Sequence, residues 1–186
     1  VAQCLGRARH RWRLPLIQGA PISWPMQNKT FFIDFEASSL VPGSWPIEIG
    51  LAWVSSQGVE VWSSLIRPAQ DWGWDKWSEQ SEQVHGIHRT DLERAPEAQA
   101  VVAEVLARVG QGRLLSDAPE FDGRWLSTRF MSAGASPLHV ECFHTAAAAA
   151  FQGASLDWLY EGLERRRAPH RAGPDARRLA AAWRDG

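Results

Sequence analysis

The sequence predicts an α/β fold in which a mixed β-sheet is flanked by α-helices. Three β-prone segments come first, and helical and strand-like segments then alternate as far as the C terminus, an order that favours a mixed sheet with helices on its faces. The chain has 186 residues, which allows one domain and at most two. Its composition, 45% hydrophobic and 22% charged, is typical of a globular protein, and no stretch approaches the roughly 20 apolar residues that span a bilayer. Repeat arrays and transmembrane proteins are therefore excluded.

Charge and cysteine content narrow the function classes further. Basic and acidic residues number 20 and 21, so the net charge of −1 does not by itself indicate an anionic partner. Only two cysteines occur, Cys4 and Cys142, which argues against a disulfide framework and a cysteine-rich zinc site. No glycine-rich nucleotide-binding pattern is present, because the GQG at 110–112 is too short for a phosphate loop. We expect a protein of a reducing, cytoplasmic compartment.

The first 29 residues differ from the rest of the chain. Four arginines between positions 7 and 13 alternate with small and apolar residues, and no acid precedes Asp34. Two interpretations stay open: an organellar transit peptide, or an extension outside the fold with Met26 as a natural start. We therefore assign 1–29 to an N-terminal extension that is disordered or non-native, and 30–186 to a single domain.

The first half of that domain reads as three strands followed by a helix. Residues 30–35 are aromatic and β-branched, which predicts a buried strand. Residues 47–55 and 59–67 are separated by a short polar turn and predict a hairpin. Residues 71–83 are polar with three tryptophans and predict a loop with a short helix. In Ala98–Val109 apolar residues recur at helical spacing, so an amphipathic helix is predicted to end at the glycines that follow.

The second half alternates between strands and helices. Arg113–Ser116 and 138–142 are short apolar segments that predict two further strands. Helices are predicted over 121–131, 145–151, 155–166 with Ser155 as N-cap, and 174–183. The sheet therefore has five predicted strands, and its ligand is expected beyond their carboxyl ends.

Two carboxylates close the first predicted strand. Asp34 and Glu36 stand two residues apart, so on a strand both side chains project from one face and can bind one cation. Two neighbouring carboxylates repel each other, whereas a bound divalent ion keeps both ionised. The alternative is that the strand ends by Phe35 and Glu36 is merely solvated. The pair alone does not decide between these interpretations.

Two further groups strengthen the metal interpretation. Asp122 opens a helix directly after a predicted strand, and the segment HRAGPD at 170–175 offers His170 and Asp175 ahead of the last helix. Each has a simpler explanation on its own, Asp122 as a charge favoured at a helix N terminus and His170 as a solvated histidine. Four acids and one histidine in this order are more specific than any one of them.

Four segments, FIDFEASSL, HGIHRTDL, FDGRWL and HRAGPDARRLA, resemble the motifs of the DEDDh 3′-to-5′ exonucleases. That family includes polymerase proofreading subunits, ribonuclease T and oligoribonuclease. The resemblance covers residues 30–186 and implies an exonuclease domain with a ribonuclease H-like fold, a five-stranded mixed β-sheet flanked by α-helices. This implied architecture agrees with the order of elements read from the sequence.

The resemblance also implies the catalytic residues and their roles. Asp34 and Glu36 match the first motif, Asp122 the second, and His170 with Asp175 the third. These four acids would bind two Mg²⁺ or Mn²⁺ ions about 3.5–4 Å apart. The family pattern gives one ion to Asp34, Glu36 and Asp175, and the second to Asp34 with water-mediated help from Asp122. His170 would take the proton from the attacking water, since histidine titrates near neutral pH.

The sequence departs from the family pattern at two places. Ser116-Asp117 stands where the family often has His-Asn, and Gly173-Pro174 replaces a more helical pair. Asp117 therefore competes with Asp122 for the role in the second motif. We favour Asp122, because FDGRWL keeps the spacing of that motif.

Six residues are candidate substrate contacts: Ala37, Ser38, Leu40, Trp74, His85 and Arg171. The first three follow the first motif, where the resemblance implies contact with the terminal nucleotide and a wedge at Leu40. Trp74 lies with Trp72 and Trp77 in a polar loop, whose rings either stack on bases or pack in the core, whereas Trp158 lies in a predicted helix and is expected in the core. His85 begins the HGI segment and is expected to form a loop wall. Arg171 belongs to an arginine-rich C-terminal stretch that would bind phosphates.

The sequence therefore predicts a metal-dependent 3′-to-5′ exonuclease that acts on single-stranded DNA or RNA 3′ ends and releases nucleoside 5′-monophosphates. Two alternatives use the same fold: a nucleic-acid-binding module without turnover, and an accessory subunit that docks onto a polymerase. A homodimer is expected by analogy with small exonucleases of this type. DNA and RNA stay equal alternatives, because a reader of the 2′-hydroxyl needs only one or two polar contacts.

Overall fold

The structure is a computed structural model and describes residues 29–127 and 138–186. The predicted N-terminal extension lies outside these ranges except for Lys29, and so do residues 128–131 of the predicted helix 121–131. Five strands are described: β1 (Thr30–Ala37), β2 (Pro46–Ser55), β3 (Gly58–Leu65), β4 (Arg113–Ser116) and β5 (Val140–Cys142). Seven α-helices are described: α1 (Glu79–His85), α2 (Arg89–Leu92), α3 (Ala98–Val109), α4 (Pro119–Trp125), α5 (Phe143–Ala150), α6 (Ala154–Arg165) and α7 (Ala172–Asp185).

The five strands form one mixed sheet in the order β3-β2-β1-β4-β5. Strands β1, β2 and β3 pair antiparallel, and the connections between them, 38–45 and 56–57, contain no helix. Strand β4 pairs parallel to β1 and β5 parallel to β4, since helices α3 and α4 intervene in the chain. The predicted five-stranded mixed sheet flanked by helices is confirmed.

Strand β1 faces two different cores because successive side chains on a strand point to opposite faces. Phe31, Ile33 and Phe35 belong to the larger core, which also contains the buried valines of α3. Phe32 belongs to the second core, formed with α5, α6 and α7. By the same alternation, Asp34 lies two residues further along the Phe32 face, on the side of the sheet that α7 covers.

The first turn of α7 lies directly on the sheet because two glycines leave room for it. A Cβ atom at Gly50 of β2 would lie 2.1 Å from the carbonyl oxygen of Ala172. A Cβ atom at Gly173 would lie 2.9 Å from the side chain of Ser63 in β3. Any side chain at either position would push the helix off the strands. This close approach brings Asp175, one residue after Pro174, over the acidic end of β1.

Several predicted boundaries differ from the structure. Strand β1 continues to Ala37, which removes the alternative in which the strand ends by Phe35. Helices α4 and α7 begin two residues before their predicted starts, in each case with a proline inside the first turn, where its missing N–H costs nothing. Gly153 rather than Ser155 is the N-cap of α6.

The structure places several of the tryptophans. Trp158, expected in the core, is 59% exposed because α6 buries Leu159 and Leu163 on a different side. Trp72 and Trp77, whose loop left substrate contact and core packing open, are buried and pack around the fully buried Trp45. No helix in the described part of the chain is long and apolar enough to cross a membrane.

Candidate active site

Three carboxylates meet where β1 passes under the first turn of α7. Asp34, Glu36 and Asp175 each offer a carboxylate oxygen, and these atoms lie within 4.8 Å of one another. The strand supplies two acids on one face, and the helix supplies the third from above. The structure thus brings together three of the four acids assigned from the sequence in one cluster that has the size of a cation site.

Burial and mutual repulsion raise the pKa values of the carboxyl groups in this cluster. Burial raises the pKa of Asp34 well above its usual range, and the charges of Asp122, Glu36 and Asp175 raise it further. Burial, then Asp175 and Glu48, raise the pKa of Glu36 to about 8. Burial also raises the pKa of Asp175. Carboxylates held this close are unfavourable when ionised unless a cation neutralises them.

The cluster fits a hard divalent ion by its donor chemistry. All three ligands are carboxylate oxygens, which Mg²⁺ and Mn²⁺ prefer. The Oδ1 atom of Asp175 is buried and accepts no hydrogen bond from the described residues, whereas its Oδ2 atom accepts one from the backbone N–H of Arg171 at 3.2 Å. A buried acceptor without a donor is costly, and a cation at this point would satisfy it.

Asp122 lies beside the cluster and is held by its own partners. It is buried, and the hydroxyl of Ser116 at the end of β4 donates a hydrogen bond to its Oδ2 atom. Burial raises the pKa of Asp122 to about 7, although the hydrogen bond from Ser116 lowers it. Asp117 lies 3.7 Å from Arg178, and its charge raises the pKa values of both Asp34 and Asp122. The two candidates for the second motif therefore have different surroundings, and Asp122 has the greater influence on the pKa of Asp34.

The segment before α7 is fixed by an ion pair to a buried glutamate that sequence reasoning did not find. Glu48 of β2 is buried and accepts hydrogen bonds from Nε and Nη2 of Arg171 at 2.9 and 2.8 Å. It also accepts the backbone N–H of Ala172 at 2.9 Å. The only sequence signal was a single acid inside the apolar strand 47–55. Arg171, predicted to contact substrate, has its guanidinium engaged by Glu48.

His170 lies next to this anchored segment in an unusual backbone conformation. Its φ is +55°, in the left-handed region that residues other than glycine rarely adopt. It is exposed, lines the adjoining cleft, and lowers the pKa of Asp175 through its charge and a backbone hydrogen bond. The geometry thus presents an imidazole to solvent at the edge of the acidic cluster.

A cleft of about 480 Å³ opens beside Glu36 and His170. Five of the predicted residues line it, Glu36, Ala37, Leu40, His85 and His170, together with residues that the sequence did not single out, among them Ser39, Val84 and Trp125. Leu40 is 66% exposed at the rim. An exposed apolar rim next to an acidic cluster suits a ligand with a flat apolar part and a charged part.

Besides Arg171, two of the predicted substrate contacts lie away from the lining of this cleft. Ser38 is fully buried, and its hydroxyl accepts the backbone N–H of Trp45 at 3.1 Å. Trp74 stacks edge-on against Trp45 and lines a separate depression with Arg89. Both side chains therefore support the loop that forms the cleft wall.

His85 is buried at the end of α1 with one ring nitrogen unpartnered. Its Nδ1 atom accepts the backbone N–H of Ile87 at 3.0 Å, while its Nε2 atom has no hydrogen-bond partner among the described residues. Burial lowers the pKa of His85, so the ring is favoured in its neutral form.

Comparison with known proteins shows which family the sequence matches and which solved structures share its fold. A family model described as an exonuclease, RNase T, matches residues 31–183. No curated protein matches the sequence. Among solved structures, the nuclease domain of 3′hExo, a DEDDh family member bound to rAMP, gives a TM-score of 0.62 at 16% identity over 83% of this chain and 89% of that one.

Two further structures share the fold. A 3′-exonuclease that recognises the 3′ end of a histone mRNA stem-loop gives a TM-score of 0.61 at 16% identity, over 83% of this chain and 62% of that one. E. coli Exonuclease I in complex with a dA16 oligonucleotide gives 0.56 at 16% identity, over 83% of this chain and 40% of that one. The chain thus spans less than two thirds of the length of these two proteins.

The family match includes all five strands and nearly all of α7. The structural likeness confirms the predicted ribonuclease H-like fold. Together with the acidic cluster at the predicted place, these findings confirm the resemblance stated from the sequence. The chain belongs to the RNase T exonuclease family.

Proposed function

We propose that this domain, residues 30–186, is a metal-dependent 3′-to-5′ exonuclease that hydrolyses phosphodiester bonds at single-stranded 3′ ends of DNA or RNA and releases nucleoside 5′-monophosphates. The observation that carries the proposal is the cluster of Asp34, Glu36 and Asp175 at the mouth of a cleft large enough for a terminal nucleotide. Glu36 belongs both to the acidic cluster and to the wall of this cleft, so a nucleotide held there would place its phosphate at the acids.

Two Mg²⁺ or Mn²⁺ ions would be held by Asp34, Glu36 and Asp175 for the first, and by Asp34 with Asp122 for the second. Bound there, divalent ions polarise a phosphoryl group and stabilise both the attacking and the leaving oxygen. Without bound ions, burial and repulsion between these acids raise the pKa values of Asp34 and Glu36. Ser116 holds Asp122 in place from the end of β4.

His170 would accept the proton of the attacking water at a ring nitrogen. Its exposed position at the cleft leaves the ring accessible to a water bound at the acidic cluster. Leu40 at the rim would pack against the last base, since an exposed leucine gains by covering an apolar ring.

The test is a gel time course on 5′-labelled single-stranded DNA and RNA with Mg²⁺, Mn²⁺ or EDTA. The wild-type chain is expected to shorten one polymer from the 3′ end only when metal is present. Asp34→Asn, which keeps the shape of the side chain and removes its charge, should abolish the ladder. His170→Gln should lower the rate by about 10²- to 10⁴-fold, the usual contribution of a general base.

The matched control is Asp157→Asn, which removes an exposed acid from the first turn of α6. It should cleave like the wild type. Shortening of neither polymer, with strand binding retained, would move the assignment to the binding module without turnover. Shortening that begins only when a polymerase is added would favour the accessory subunit. Full activity of Asp34→Asn would remove the acidic cluster from the mechanism.

A further inference from the structure

A groove lined by arginines runs along the outer side of α7, separate from the acidic cleft. Its volume is about 640 Å³, and five arginines line it: Arg166, Arg167, Arg177, Arg178 and Arg184. Its floor is Val59 and Val61 of the edge strand β3. No acidic side chain is among the lining residues found in the described part of the chain. From Gly173 to Arg184 the α7 wall is about 16 Å long at 1.5 Å per residue.

Three of these arginines hold the groove in shape. Arg166 donates to the carbonyl of Gly162 at 2.7 Å and pairs with Asp185 at 2.5 Å. Arg178 donates to the carbonyl of Arg166 at 2.9 Å, which ties the end of α6 to α7. Arg184 also pairs with Asp185. The frame is therefore built from hydrogen bonds that do not need a ligand.

The remaining two arginines have no ion pair among the described residues. Arg167 and Arg177 are exposed, and no carboxylate lies within ion-pair distance of either. Two unneutralised guanidinium groups on one preformed groove attract an anion with several charges, since each is a planar donor that suits phosphate oxygens.

The groove adjoins the acidic cleft through consecutive residues. Pro169 lines the groove and His170 lines the cleft, and Gly173 and Pro174 line the groove just before Asp175 of the acidic cluster. The two depressions are therefore separated by a single turn of the chain, and a strand whose 3′ end lies in the cleft would continue toward the arginines across this turn.

We propose that the groove binds the phosphodiester backbone of the strand whose 3′ end occupies the cleft, with Arg167 and Arg177 as the principal phosphate contacts. This rests on the proposed function, because it takes the cleft as the place of the 3′ end. The site is sequence-independent, since it offers guanidinium groups and two valines but no set of donors and acceptors aimed at base edges.

The experiment compares the effect of arginine substitutions on a minimal substrate and on a long one. Hydrolysis of the p-nitrophenyl ester of thymidine 5′-monophosphate needs the cleft alone, whereas a long single-stranded oligonucleotide can also reach the groove. Arg177→Glu should weaken cleavage and binding of the oligonucleotide, and the double change Arg167→Glu with Arg177→Glu should weaken them about tenfold or more at low salt. Ester hydrolysis should stay at the wild-type rate in both. Each lost phosphate contact should also reduce the slope of log affinity against log salt by about 0.7.

The matched control is Arg165→Glu, an equal charge change on a 73% exposed arginine of α6 that is not among the groove-lining residues. It should behave like the wild type with both substrates. Arg177→Lys keeps the positive charge and should restore most of the oligonucleotide affinity, because lysine binds phosphate as a point charge. Equal losses in Arg165→Glu and Arg177→Glu would overturn the proposal, since net charge alone would then explain them.

Binding is also measured by fluorescence anisotropy of the labelled oligonucleotide in EDTA, so the outcome does not depend on turnover. If no substrate is cleaved but Arg177→Glu still binds the oligonucleotide more weakly than Arg165→Glu, the proposed phosphate binding by the groove is supported and the proposed function is wrong. Unchanged affinity in the double variant would overturn the groove. Competition by a polyglutamate peptide as strong as by unlabelled oligonucleotide would overturn it too, in favour of an acidic protein partner.

Discussion

Glu48→Gln should loosen the segment that carries His170 without changing its shape. The carboxylate of Glu48 is 5% exposed and accepts three hydrogen bonds at 2.8 to 2.9 Å, two from Arg171 and one from the backbone N–H of Ala172. Glutamine retains one acceptor oxygen, brings an NH₂ group against these donors, and leaves the charge of Arg171 unpaired.

The size of the effect follows from the exposure of the two partners. Removing one member of a fully buried pair costs about 3–5 kcal/mol. Arg171 is 43% exposed, so water can hydrate its guanidinium once the pair is broken, and we expect a loss of about 2 kcal/mol in the free energy of unfolding. For a domain of this size that corresponds to a fall in Tm of about 4–8 °C.

The control is Glu97→Gln, which breaks the ion pair with Arg67. Arg67 is also 43% exposed, but Glu97 is 71% exposed, so the two pairs differ mainly in the burial of the acid. An exposed pair contributes about 0–1 kcal/mol, and Glu97→Gln should hardly move Tm.

Thermal unfolding of both variants with metal present measures the stability difference, and steady-state hydrolysis of the nitrophenyl ester measures the site. Glu48→Gln should lower kcat about tenfold or more with little change in KM, because a displaced catalytic group costs rate more than binding. Equal Tm shifts in the two variants would refute the argument from burial. A destabilised Glu48→Gln with wild-type kcat would show that the ion pair does not position His170.

Two further predictions concern the acidic cluster and the packing of α7 against the sheet. In EDTA, Glu36 and Asp122 keep their protons to about pH 8 and 7 in the folded state, whereas unfolded carboxyls release theirs near pH 4. Because the folded state then binds more protons than the unfolded state in this range, Tm in EDTA should fall as pH rises from about 4 to 8. Saturating Mg²⁺ should flatten the curve of Tm against pH. A flat curve in EDTA would contradict the raised pKa values. Gly50→Ala should cost about 1–3 kcal/mol or more and lower ester hydrolysis, because the new methyl group would overlap Ala172. Gly123→Ala, whose new Cβ atom meets its nearest neighbour at 4.0 Å, should be neutral or stabilising in a urea titration of the two variants, and equal effects would contradict the packing argument.

The succession of strands and helices along the chain and the acidic pair could be predicted from sequence, because both depend on local pattern. Alternation fixes the two faces of a strand, so the spacing of Asp34 and Glu36 was enough to place both on one side. Trp158 was misplaced because a helix turns by about 100° per residue, and the neighbouring Leu159 takes the buried side.

Long-range partners could not be predicted in the same way. Arg171 belongs to a run of arginines that suggests a phosphate-binding face, but its partner Glu48 lies 123 positions earlier in the chain. Nothing in local spacing links the two. The same holds for Gly50 and Ala172, whose contact exists only after β2 and α7 have packed. The signals were present as an acid and a glycine inside an apolar strand, each out of place in its local context.

The position of the acids explains how the fold can contain them. The face of β1 opposite the acids packs Ile33 and Phe35 into the larger core, so the strand stays ordered whatever the charge on its other face. On the acidic face, Phe32 still belongs to the second core, and the apolar packing stops where Asp34 begins. The protein thus places mutually repelling carboxylates at the edge of one core and anchors them with another. A cation that neutralises them should therefore add stability as well as the proposed activity, because both would depend on the same three side chains.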